Sequence, residues 1–206
     1  PAMARHFITD REGLGALYAK PKGLAVGKQL AALDGHTRAF IERAPLVLLG
    51  TSGDVSPKGD APGFVRVIDE VTLVIPDRRG NNRLDSLINL LDDPRVGLLF
   101  IIPGIDETLR VNGTARITTD PELLAPLALN GKVPVTALLV TIAEVFLHCA
   151  KAFRRARLWD PAAQISRSEL THPGRAMAEH GGTDPEEGER SYDEKIATAM
   201  AEEGRV

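Results

Sequence analysis

The segment Asp77-Arg78-Arg79-Gly80-Asn81-Asn82-Arg83 places three guanidinium groups and two side-chain amides just ahead of an apolar-periodic stretch that begins at Leu84. If that stretch is a helix, its first backbone amides lack partners and the positive end of its dipole faces the turn, a setting that favours a phosphate. Arginine adds bidentate, charge-assisted hydrogen bonds, and Gly80 lets the backbone come close to a ligand. The same residues also suit a solvated strand-to-helix loop in which Asn81 or Asn82 is a simple N-cap, and spacing alone leaves both uses open.

Two further segments concentrate polar chemistry. In Ser56-Pro57-Lys58-Gly59-Asp60 the lysine could reach a phosphate or a ligand carbonyl and Asp60 could accept from a ring or a hydroxyl, while a plain polar turn uses the same residue types. In Cys149-Ala150-Lys151-Ala152-Phe153-Arg154-Arg155-Ala156-Arg157-Leu158-Trp159 four cations alternate with apolar residues. That segment suits either an anionic or aromatic ligand or an ordinary exposed helix face. Other chemistries find no support. Gly59 and Gly63 match neither the P-loop nor the dinucleotide glycine spacing, His148 and Cys149 have no second ligand pair for a metal, and no nucleophile elbow surrounds Ser52 or Ser56.

The elements that must position these residues follow from periodicity and turn signals. Thr9-Asp10-Arg11-Glu12 reads as a capping box for a short helix to about Tyr18, followed by helical stretches over 24–33 and 34–42. Apolar runs at 46–51, 64–68, 71–75, 96–102, 109–118 and 135–142 read as strands, with Asp69-Glu70 short enough for a hairpin. One helix lies between Ile75 and Val96, and Leu84, Leu87, Ile88 and Leu91 are expected on its buried face. Asp120-Pro121-Glu122 starts a short helix over 123–129. Residues 144–149 suit either strand or helix, and 150–158 reads as helix. Residues 181–188 read as a mobile linker before a last helix over 192–203. Helices, then strands around one central helix, then helices again suggest a closed or nearly closed antiparallel barrel; a doubly wound sheet would need crossovers for which the 64–75 pair has no room.

Composition bounds the function. In 206 residues, 43% hydrophobic and 26% charged content describes an ordinary globular chain, and no apolar run approaches the roughly 20 residues of a membrane span. A net charge of -3 argues against broad nucleic-acid binding. The single cysteine allows no intrachain disulfide, and Pro1 to His6 is not followed by the apolar core of a secretory signal, so a cytoplasmic location is the default expectation.

Taken in order, Thr37-Arg38-Ala39-Phe40-Ile41, Ser56-Pro57-Lys58-Gly59-Asp60, Ile75-Pro76-Asp77-Arg78-Arg79-Gly80-Asn81-Asn82-Arg83-Leu84, Leu109-Arg110-Val111-Asn112-Gly113 and Lys151-Ala152-Phe153-Arg154-Arg155 resemble the pyridoxamine 5'-phosphate oxidase-like, FMN-binding split-barrel family over roughly residues 34–160. The likeness is to an oxidase-related branch more than to the vitamin B6 enzyme itself. It implies a mainly β fold with peripheral helices, a six-stranded antiparallel split barrel that forms a homodimer with FMN in clefts built by both subunits. The FMN-binding domain would span 1–160, with 161–206 as a polar extension carrying a short helix. Carried over by position, Asn82 and Arg83, beside Asn81, resemble the phosphate grip, and Asp77 and Arg78 the adjoining ribityl-phosphate contacts. Ser56, Lys58 and Asp60 resemble groups along the isoalloxazine edge. Arg110 and Asn112 lie on a strand that reaches the flavin region, and Lys151, Arg155 and Trp159 would lie near the cleft mouth. The family pattern has an Arg-Lys pair at the start of the central helix where this chain has Asn82-Arg83 slightly earlier, and a glutamine where this chain has Thr108. The implied function is an FMN-dependent oxidoreductase acting on a small molecule. A non-catalytic flavin store or sensor, or a split barrel using F420 or haem, are the alternatives.

Overall fold

The computed structural model describes residues 7–204; Pro1 to His6, read above for a targeting signal, lie outside the described residues. Seven strands, β1 (Leu46–Thr51), β2 (Asp54–Gly59), β3 (Arg66–Val67), β4 (Thr72–Pro76), β5 (Arg95–Ile101), β6 (Thr108–Thr118) and β7 (Ala137–His148), pair antiparallel in the order β2-β1-β5-β6-β7-β4-β3. Alternation within the strands sends Val47, Leu49, Leu98, Phe100, Leu109, Val111, Val140 and Val145 into one continuous core. Asp69-Glu70 does join a hairpin, β3 to β4, closed beyond the ladder by Ile68 N–H donating to the Thr72 carbonyl.

Two expectations change. The sheet has seven strands rather than six, and it is not closed: β2 and β3 are its edges. The additional strand is β2, whose Asp-Val-Ser-Pro-Lys-Gly sequence carries no apolar run. It is a strand because it is an edge. Pro57 opposite Leu48 has no ladder to donate to on its outer side, and alternate residues face solvent. At the other ambiguous place, β7 continues as strand to His148 and the helix begins only at Lys151.

The helices sit at the periphery. Helix α1 (Arg11–Leu17) is capped by Asp10, whose carboxylate accepts from Gly13 N–H at 2.7 Å, rather than by Thr9. The expected helix over 24–33 shortens to α2 (Leu24–Gly27), because the chain then extends to bridge Leu30 to Val145. Helix α3 (Gly35–Arg43) buries Thr37 and Ile41. Helix α4 (Asp85–Asp92) crosses the sheet between β4 and β5; α5 (Pro121–Leu124) runs into a 3-10 turn over Ala125–Leu127; and α6 (Lys151–Ala156) follows β7. The last helix is present but starts earlier, as α8 (Pro185–Glu202), and most of the expected linker is helical, with α7 (Pro173–Gly181) before it. They pack so closely at Gly174 and Gly188 that a Cβ on either would overlap the other's carbonyl oxygen. No helix of the described residues is long and apolar enough to cross a membrane.

Helix α4 also differs in phase. Its buried residues are Ser86 and Leu90, with Leu87 half-buried, whereas Leu84, Ile88 and Leu91 are half or more exposed. The cause is polar: Ser86 Oγ donates to Ser56 Oγ at 2.9 Å and Asn89 Nδ2 to Thr51 Oγ1 at 3.1 Å. Those two bonds, one turn apart, turn the 86–90 face inward and leave an apolar stripe outside.

Helix α3 leads the chain into β1 and is started by a reciprocal cap. Thr37 N–H donates to Asp34 Oδ1 at 2.8 Å and Asp34 N–H to Thr37 Oγ1 at 2.9 Å. The backbone bond from Thr37, then the hydroxyl, holds the Asp34 carboxyl below its ordinary 3.8. A carboxyl lowered on folding contributes stability above that ordinary value and loses it as pH falls through the folded one. Replacing Asp34 with Ala is expected to lower the unfolding free energy at pH 7 by about 1 kcal/mol. In urea titrations the gap to the parent chain should narrow as pH drops below 3.8; a pH-independent gap would contradict this role of the carboxylate.

Candidate functional site

The two sides of the open sheet are tied by side chains where β2 and β4 end. Asp60, just after β2, has a side chain only 3% exposed, and its Oδ2 accepts from Arg78 Nε at 2.6 Å. Arg78, just after β4, also donates from Nη1 to the Leu127 carbonyl at 2.8 Å. Lys58 Nζ lies 3.5 Å from Asp77 Oδ1, and Asp77 N–H continues the ladder to the Thr136 carbonyl at 3.0 Å. Between these ties opens a cleft of about 230 Å³ lined by Pro57, Lys58, Phe64, Pro76, Arg78 and Gly80, among others. Burial lowers the Arg78 pKa, with Glu203 opposing, and a guanidinium so placed remains charged.

Beyond Arg78 the chain rises through the turn into α4. Asn81 Oδ1 accepts from Arg83 N–H at 3.1 Å, and Asn82 and Leu84 both take left-handed backbone, φ 60° and 61°. Neither Asn81 nor Asn82 is the N-cap of α4. That position is Leu84, which offers no side-chain acceptor, so among the described residues no side chain caps the first-turn amides of α4. Arg83 Nε donates to Asp85 Oδ2 at 2.8 Å, and that bond raises the Arg83 pKa further.

Each cation at this seam faces a carboxylate: Lys58 with Asp77, Arg78 with Asp60, Arg83 with Asp85, and Arg79 with Glu202 of α8 at 3.5 Å. The pairs are not equivalent. Arg78 and Asp60 are enclosed, whereas the Arg79 and Arg83 side chains are 85% and 73% exposed. Exposed pairs contribute only about 0–1 kcal/mol and exchange partners readily. The arrangement therefore combines a fixed ionic clasp with two displaceable guanidiniums, one at the cleft and one at the uncapped start of α4, each of which can accept an anion.

The remaining residues singled out by sequence lie elsewhere. Arg110 and Asn112 stand on β6 between the core residues Leu109, Val111 and the bulge before Gly113, so they face away from the core. Asn112 Nδ2 donates to Glu144 Oε1, and the Arg110 guanidinium lies 5.2 Å from the Phe146 ring, which Lys28 also approaches at 4.8 Å. His148 Nε2 beside them is buried without a hydrogen-bond partner among the described residues. Burial, then Arg110 and Lys28, lower its pKa and favour the neutral ring. On α6, Lys151 and Arg155 are exposed. Trp159 packs on Phe153 and donates from Nε1 to the Ile105 carbonyl at 2.9 Å. The structure thus gathers Ser56, Lys58, Asp60, Asp77, Arg78, Asn81, Asn82 and Arg83 at the seam, with the Ser56 hydroxyl engaged by Ser86. Among the described residues, no hydrogen bond or ion pair joins Arg110, Asn112, Lys151, Arg155 or Trp159 to that seam.

Sequence reading missed four contributors: Ser86 and Asn89, which pin α4, Phe64, which lines the cleft, and Glu202, which reaches Arg79. The i, i+3 spacing of Ser86 and Asn89 was the available signal, overridden by the larger apolar residues around them.

The profile of the pyridoxamine 5'-phosphate oxidase family matches residues 33–149, which spans β1 to β7 and every seam residue but Glu202. The chain belongs to the pyridoxamine 5'-phosphate oxidase family. No curated protein matches it. Among solved structures, HupZ of Group A Streptococcus is similar at 17% identity and a TM-score of 0.46, over 56% of this chain and 93% of that one. An FMN-binding protein of Syntrophomonas wolfei subsp. wolfei follows at 14% and 0.42, over 55% and 89%. A FAD-binding protein of Mycobacterium smegmatis stands at 14% and 0.41, over 58% and 97%. Likenesses this distant transfer no residue roles to this oxidase-family chain.

Breaking the enclosed clasp should unfold the seam first. Asp60→Ala leaves the Arg78 guanidinium without its carboxylate in a largely buried place and is expected to destabilise the chain by about 3 kcal/mol. Thermal or urea unfolding measures this; a loss under about 1 kcal/mol, the range of exposed pairs, would show that the clasp is not structural.

Proposed function

We propose that the chain binds FMN, with the phosphate at the start of α4, and that it is an FMN-dependent oxidoreductase acting on a small molecule. The observation that carries the reading is the uncapped start of α4 beside the exposed Arg83, reached from the cleft by the short run that leaves Arg79 and Gly80 in its lining. These residues fit a phosphate monoester: α4 presents first-turn amides that no side chain of the described residues caps and the positive end of its dipole, and Arg79 and Arg83 can exchange their carboxylates for phosphate oxygens. Asn81 and Asn82 shape the left-handed turn that brings those amides together.

Membership of the family supports a flavin at this seam, and the cleft's size supports sharing it. Sites for ligands of this class run about 300–1,000 Å³. A cleft of about 230 Å³ can hold only part of such a ligand. A second copy of the chain would enclose the remainder. The exposed stripe Leu84, Ile88 and Leu91 lies directly beside the turn and is of the kind buried between subunits. In a homodimer, Arg110, Asn112, Lys151, Arg155 and Trp159, which among the described residues make no hydrogen bond or ion pair with their own seam, would be available to the seam of the partner.

When bound, FMN supplies the redox chemistry by exchanging a hydride equivalent at its ring. The protein's part is to hold and tune it. Lys58, half-buried beside Asp77, places positive charge at the cleft wall, where it would offset negative charge on the edge of a ring. Asp60 keeps Arg78 in place, and Phe64 supplies an apolar wall.

Arg83→Ala removes one charge-assisted contact and is expected to weaken FMN binding about ten- to a hundred-fold. Titration followed by flavin fluorescence reads this, and unchanged affinity would remove the phosphate assignment. The oxidoreductase part requires that NADH, NADPH or another reductant bleach the bound flavin anaerobically and that an acceptor restore it. Failure of every reductant to bleach a stoichiometric complex would leave only a binding protein.

A further inference from the structure

The C-terminal helices touch the candidate site in a way the proposed function does not require. Helices α7 and α8 pack chiefly on each other: Gly174 against Gly188, Arg175 Nε to Glu189 Oε1 at 2.5 Å, and His172 against Asp193 and Tyr192. The ion pairs and side-chain hydrogen bonds described between this hairpin and the sheet domain lie at the last turn of α8. Glu202 Oε2 stands 3.5 Å from Arg79 Nη1 and 3.9 Å from Lys132 Nζ, and Asn130 Nδ2 donates to the Glu203 carbonyl at 2.6 Å. Lys132 is fixed there by a tight turn: Leu129 and Lys132 exchange both backbone hydrogen bonds around Asn130 and Gly131, which take φ 49° and 75°.

We propose that Glu202 of α8, paired with Arg79 and Lys132, competes for Arg79 with a phosphate bound at the start of α4, so that α8 is a strap released as the site fills. The inference rests on the phosphate reading above. Three observations carry it. First, among the described residues Glu202 is held by two exposed cations, at 3.5 and 3.9 Å, so its hold is weak, whereas a phosphate offers Arg79 more negative charge and more acceptors. Second, α8 ends on Glu202 and Glu203 with no basic residue in its last turn. Carboxylates there oppose the helix dipole, so this turn depends on cations from outside, and Arg79 and Lys132 are those cations. Third, Arg79 follows the enclosed Arg78 directly in the chain and its own side chain is 85% exposed, so it can exchange Glu202 for another anion without moving the clasp. The end of α8 lies near the clasp, Glu203 being close enough to Arg78 to act on its charge.

The test uses the full chain and its Glu202→Gln variant, titrated with FMN at low ionic strength, together with amide hydrogen exchange of the parent with and without FMN. Removing the internal competitor is expected to tighten FMN binding about two- to five-fold, the worth of one exposed ion pair. Exchange at the last two turns of α8 should quicken when FMN binds to the parent. Equal affinities, with α8 amides unchanged by FMN, would overturn the strap and leave the phosphate reading standing. If neither protein binds FMN, the phosphate reading falls and the strap with it.

Discussion

The Arg78 guanidinium, clasped by the Asp60 carboxylate and the Leu127 carbonyl, joins parts of the chain that no backbone ladder connects. An antiparallel sheet that stops at seven strands leaves β2 and β3 as edges, and a bare edge invites pairing with other chains. Here the end of β2 is tied instead to the end of β4. The tie is ionic and enclosed, so it fixes direction as well as distance: the chain leaving β4 must rise past Asp60 before it can turn into α4. The cleft, the left-handed backbone at Asn82 and Leu84, and the uncapped start of α4 all lie downstream of that constraint.

Around the clasp, exposure sorts otherwise similar pairs into two kinds. Arg78 and Asp60 are shielded and hold shape, while Arg79 and Arg83 sit in water with partners that a better anion can replace. A charge-balanced seam of this kind keeps its form when empty and still has donors to offer a phosphate. The polar pins Ser86 to Ser56 and Asn89 to Thr51 add a second consequence. By turning the polar face of α4 inward they leave its leucines and isoleucine outside, beside the site, where a second copy of the chain can cover them.

Much of this was legible in the sequence, because burial and periodicity coincide along the central strands. β1, β4 and β5 carry apolar runs, β6 alternates Leu109 and Val111 with Arg110 and Asn112, and the turn from Asp77 to Arg83 was recognisable as a strand-to-helix passage with donors in excess. What escaped notice lacked an apolar signature. β2 is a polar edge whose strand state comes from its pairing with β1. The phase of α4 is decided by two hydrogen bonds against the pull of its larger side chains. The C-terminal helices hold together through glycine contacts and ion pairs, so their composition resembles that of a mobile tail. Which candidate residues pair at the seam is a matter of strand register and facing, which depends on pairings far apart in the chain.

The central claim is that the turn and the start of α4 recognise a phosphate. It is tested most directly by comparing FMN with riboflavin, which has the same ring and side chain but no phosphate, by isothermal titration. Two charge-assisted contacts of about 1.5–3 kcal/mol each predict that FMN binds at least about a hundred-fold more tightly, with an advantage that shrinks as salt is raised. Equal affinity for the two would contradict the account.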